Sequence, residues 1–112
     1  MNDGFSLLAE IDAIDETMND CLQAMNMLSD KKALAEANYY RAKSNAAKAL
    51  KDAHTPITHI QTVIKGLDGV NDKLQAFHSA EMEYANAKEA LLVNKQRYKF
   101  KTELFKLEYG KE

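Results

Sequence analysis

Residues 7–28 read LLAEIDAIDETMNDCLQAMNML, and the spacing of their apolar side chains decides the fold. Leu7, Ile11, Ile14, Met18, Cys21, Met25 and Leu28 follow one another in steps of 4, 3, 4, 3, 4 and 3 residues. Those steps place all of them on one stripe of an α-helix, the seam of a coiled coil. Continued in the same steps, the stripe passes through Lys32, Ala35, Tyr39, Ala42, Ala46, Ala49 and Ala53. It therefore turns from bulky to mostly alanine, which lets a facing helix approach closely. The pattern predicts a helix from about residue 5, with Asp3 or Ser6 near its start, to about residue 54.

Beyond His54, Thr55 suits an N-cap and Pro56 the first position of a new, short helix to about residue 65. Ile57, Ile60, Val63 and Ile64 give it an apolar face, and Gly66 is its expected stop. Leu67-Asp68-Gly69 reads as a second joint. A last helix is predicted from about residue 70 to 109, striped by Val70, Leu74, Phe77, Tyr84, Leu91, Tyr98, Phe105 and Tyr109. Glu81, Lys88, Lys95 and Thr102 interrupt that stripe. The expected fold class is all-α: a long antiparallel helical hairpin in one domain over residues 1–112, with a short helix at its joint. Folded about residue 61, it would set Ala49 on Leu74, Ala46 on Phe77, Ala35 near Lys88 and Met18 on Phe105.

Charge patterning favours the same topology. Residues 1–30 carry seven acidic side chains and no basic one, residues 31–54 a net +4, residues 55–94 a net −2 and residues 95–112 a net +3. An antiparallel hairpin sets the acidic start beside the basic end, which selects orientation more than it stabilises. Leu8, Leu22, Leu34, Leu50, Leu92 and Leu104 fall off the main seams and would stay partly exposed in a single copy. A homodimer closing into a helical bundle would bury them, with Leu7, Ile11, Ile14, Met18, Met25 and Leu28 as the candidate dimer seam.

The whole chain carries a net charge of −2, which gives no general push toward nucleic acid or membrane. No stretch reaches the roughly 20 apolar residues of a membrane span. The first residues lack the basic start and apolar run of a signal peptide, and Cys21 is the lone cysteine, so the host cytoplasm is the expected compartment. No phosphate-binding glycine loop, zinc-protease helix, nucleophile elbow or paired cysteine is present, so an enzyme is not expected and no catalytic, cofactor or metal residue is assigned. His54 and His59 flank Pro56 and would not share a helix face, so they read as polar residues around a turn. Cys21 sits on the seam in a wholly acidic segment, where a thiol is a small apolar filler. Lys95, Arg97, Tyr98, Lys99 and Lys101 mix basic and aromatic side chains as phosphate-gripping, base-stacking surfaces do. Arg41 and Lys43, beside Tyr39 and Tyr40, form a second such group. On helices, both also read as solvated faces matched to acidic neighbours.

From Lys31 onward the chain resembles the small helical proteins that temperate phages of low-GC Gram-positive bacteria encode. The resemblance rests on AEANYYRAKSNAAKALK (35–51), HTPITHIQTVIKG (54–66) and a last helix running from NDKLQAFHSAEMEYANAKEALL (71–92) to KFKTELFKLEYG (99–110). It implies an accessory role near early recombination and replication functions, and it carries no active-site residues across. The first 30 residues are more acidic than that group would suggest. The secreted WXG hairpins, of similar size, are set apart by the absence of Trp here. The expected function is therefore a non-enzymatic phage accessory protein that binds a host or phage protein. One form would be an inhibitor of a host defence or replication protein. The alternative is an accessory nucleic-acid-binding protein in phage recombination or replication.

Overall fold

A computed structural model describes residues 4–110. It contains α1 (Gly4–Asp52), α2 (Ile57–Lys65) and α3 (Asp68–Tyr109), and no strand among the described residues. Asp3, weighed as a helix start, lies outside them. The chain is all-α, an antiparallel helical hairpin with a short helix at the joint. Its residues group into two compact units: residues 28–84 form one, and residues 1–27 with 85–112 the other.

The joint departs from expectation at its cap. α1 ends in a Schellman closure: the His54 N–H donates to Lys51 O at 2.9 Å and the Thr55 N–H to Leu50 O at 2.9 Å. That geometry holds His54 at a φ of +65°, where a side chain crowds its own backbone. Thr55 is consumed by this closure and caps nothing. Pro56 itself occupies the N-cap of α2, extended at ψ 136°, with no side-chain cap. Gly66 stops α2 as expected but in right-handed geometry, so it is not there for a left-handed turn. α3 then starts at Asp68, whose carboxylate in the first turn suits the helix dipole, and Gly69 already lies within the helix. Replacing His54 by Gly should relieve the left-handed strain and raise stability by about 0.5–1 kcal/mol in a urea titration.

In the unit of residues 28–84, Ile60 and Ile64 of α2 and Val70 of α3 form a buried cluster, packed by Tyr39, Ala42, Ala46, Ala47 and Leu50 of α1. The alanine half of α1 thus receives bulky residues, chiefly from α2. Leu50, expected off the seam, is on it, and Ala49, expected on it, is exposed. The cause is helical pitch. A straight α-helix falls about 20° behind per seven-residue step, so six steps from Leu7 leave Ala49 about 120° astray and bring Leu50 back.

The expected register also shifts. Lys31 pairs with Glu83 at 2.8 Å, Lys32 lies over the Tyr84 ring at 5.3 Å, and Tyr39 meets Phe77 at 6.2 Å. The numbers of these facing pairs add to 114–116, against about 123 for the pairs expected from a fold about residue 61. Ala46–Phe77 is therefore replaced by an aromatic pair. The difference arises because α2 folds over the last turns of α1, so α3 begins opposite an earlier part of it.

The other unit is simpler. Leu7 and Ile14 of α1 and Leu91 and Asn94 of α3 are buried. Glu10 pairs with Lys101 at 3.1 Å, which brings acidic start and basic end together as the charge pattern requires. Phe105 lies across from Gly4 rather than Met18. Along α3 the seam takes Ala87 and Asn94, not Lys88 and Lys95, so those lysines do not interrupt it. Of the candidate dimer seam, Leu7 and Ile14 are buried within a single chain and Ile11, Met18, Met25 and Leu28 are half-buried.

Candidate functional site

The basic and aromatic run on α3 does not form one surface. Successive residues turn by about 100° around a helix. Arg97 and Lys101 fall on one flank, Lys95 and Lys99 on the other, and Tyr98 between them is half-buried. Arg97 Nη1 donates to Asn94 Oδ1 at 3.3 Å, and Asn94 Nδ2 donates to Ala90 O at 2.8 Å. Asn94 is buried in the seam, yet both ends of its amide are bonded on its own helix. Lys101 is held by Glu10. These cations border a groove of about 220 Å³ whose α1 wall is Glu10, Ala13, Ile14 and Thr17. The Thr17 hydroxyl donates to Ala13 O at 3.0 Å, one turn back on its own helix. The groove's two cations are already engaged, one by a carboxylate and one by an amide oxygen.

The second basic group lies in the unit of residues 28–84. Arg41 is exposed and reaches Asn38 Oδ1 at 3.5 Å. Lys43 turns over the rings of Tyr39 and Tyr40, at 5.6 and 6.0 Å from their centroids. It also borders a cleft of about 340 Å³ floored by Ile64, Val70 and Leu74 and rimmed by Lys65 and Asn71. Among the described residues no group of three His, Cys, Asp or Glu side chains could hold a metal ion. No helix of the described residues is long and apolar enough to cross a membrane.

Several large apolar side chains are left uncovered. On α3, Val93, Phe100 and Leu107 are 46, 62 and 65 % exposed. They recur every seven residues, so they stand on one stripe of the helix, with Arg97 and half-buried Leu104 completing steps of 4, 3, 4 and 3. This is a second seam that no helix covers among the described residues. Attention to the buried stripe conceals it in the sequence, although its spacing is equally regular. Near the start of α1, Gly4, Phe5, Leu8, Phe105 and Tyr109 line a further groove of about 260 Å³ that is almost wholly apolar.

The chain matches no protein-family model, no curated protein and no solved structure.

Proposed function

We propose that this protein is a non-enzymatic interaction module, an accessory protein of phage or prophage type acting in the host cytoplasm. It would act by docking a host or phage protein on the outer seam of α3, and it self-associates. The observation that carries this reading is the Val93–Phe100–Leu107 stripe. Regular seven-residue spacing of large apolar groups left in solvent is the pattern an amphipathic partner helix or a hydrophobic groove covers. Inhibition of a host defence or replication protein is one use of such a surface.

The test is a pull-down from host extract with the full chain and with V93E/F100E. Both substituted positions are exposed, so helicity by circular dichroism should be unchanged. A protein captured by the parent and lost from the variant supports the reading; one captured equally by both overturns it. The nucleic-acid alternative is weakened by the split of the basic run, since Arg97 and Lys101 are already engaged. Fluorescence anisotropy with single- and double-stranded DNA at low salt, where phosphate contacts are strongest, should show no binding at micromolar protein. Salt-sensitive binding there, lost on K95E/K99E, would favour the alternative instead.

A further inference from the structure

The unit formed by residues 1–27 and 85–112 has two sides, and they differ in character. One residue before Ile14 and Tyr98 stand Ala13 and Arg97, which border the groove spanned by Glu10 and Lys101. One residue after the seam positions Leu7, Ile14 and Cys21 stand Leu8, Asp15 and Leu22. One residue after Leu91, Tyr98 and Phe105 stand Leu92, Lys99 and Lys106. A helix turns by about 100° per residue, so both triplets lie on the side away from the groove.

On that side, Leu8, Leu22 and Leu92 are 41–47 % exposed. Glu10 and Lys101 pair across the two helices, and that level sets Leu22, Asp15 and Leu8 each within about one helical turn of Leu92, Lys99 and Lys106. Asp15 and Lys99 nevertheless form no ion pair among the described residues, and neither do Asp12 or Lys95. The side therefore presents an acidic, leucine-bearing half on α1 and a basic, leucine-bearing half on α3, each without an ion-pair partner among the described residues.

We propose that a second copy of this chain docks on this side about a two-fold axis parallel to the helices. Such an axis seats α1 of each copy on α3 of the other at an unchanged level. Asp15 then meets the partner's Lys99, Leu22 meets the partner's Leu92, and Leu8 lies along the aliphatic stem of the partner's Lys106. A two-fold axis across the helices would instead set α1 on α1 and crowd the carboxylates of Asp12 and Asp15 against their own copies. Charge complementarity selects the first arrangement. The inference deepens the interaction-module reading, and it uses the side opposite the groove that Arg97 borders.

Sedimentation equilibrium on the full chain tests it. The parent should be dimeric at tens of micromolar. D15K and K99D should each weaken the dimer by about tenfold or more, because symmetry places every like-charge contact twice. D15K/K99D in one chain restores opposite charges and should return the dissociation constant to within about threefold of the parent. Both substituted positions are exposed, so unchanged circular dichroism should accompany all three variants. A monomeric parent, single variants that dimerise like the parent, or a double variant as weak as either single would each overturn the proposal. A monomeric parent that still loses its captured protein on V93E/F100E would overturn self-association alone and leave the docking surface of α3 standing.

Discussion

Ile64→Asp should unfold most of the unit of residues 28–84, with a loss of at least about 4 kcal/mol. Ile64 is 3 % exposed and sits where α2 meets α1 and α3, against Ile60, Val70, Ala46 and Leu50. The side chains packed on that cluster are apolar apart from the Tyr39 hydroxyl, and Lys43 and Lys65 only border the cleft that Ile64 floors, so a carboxylate there gives up most of its hydration. A chain of this size has only about 5–15 kcal/mol of total stability to lose. A graded series makes the effect diagnostic. Ile64→Val should cost about 1 kcal/mol and Ile64→Ala about 2–4 kcal/mol, read as midpoint shifts in urea followed by circular dichroism. If Asp were tolerated as well as Val, α2 would not be packed on the hairpin at all.

Ala80→Leu is the second large effect expected, a loss of about 1–3 kcal/mol through overpacking. Ala80 is fully buried at 0 % exposure. The pairings of Lys31 with Glu83 and of Tyr39 with Phe77 place Ala80 opposite residues 34–36, where Ala35 is half-buried. Two alanines facing each other let the helices come close, and three added carbons have nowhere to go. Ala80→Gly, which adds no volume, should cost about 1 kcal/mol for helix propensity alone. Similar thermal melts for the Leu variant and the parent would show that α1 and α3 are not in close contact there.

Helix identity was legible because it depends on local spacing, and residues 7–28 carry seven apolar groups in unbroken alternation. Topology was legible from charge, since Glu10 and Lys101 do meet. Register was not. It depends on how many residues the joint consumes and on where α2 lies, and neither has a local signature. A fold about the midpoint of α2 would set Phe77 on Ala46, whereas Phe77 meets Tyr39. The drift of a straight helix against a seven-residue count hid Leu50 in the same way. At the candidate site, the residue types singled out on α3 were real but scattered by the helix: Arg97 and Lys101 border one groove while Lys95 and Lys99 face away. The Val93–Phe100–Leu107 stripe was equally regular in sequence. An outer seam and a buried one look alike until the partner helix is placed.

Every surface assigned above follows from the register of α1 against α3, and ring-to-ring contacts measure it directly. A two-dimensional nuclear Overhauser spectrum of aromatic-labelled protein should show cross-peaks between the rings of Tyr39 and Phe77, and from Gly4 to Phe105 or Tyr109. Cross-peaks from Phe77 to the Ala46 methyl and from Phe105 to the Met18 methyl, with the Tyr39–Phe77 contact missing, would contradict it.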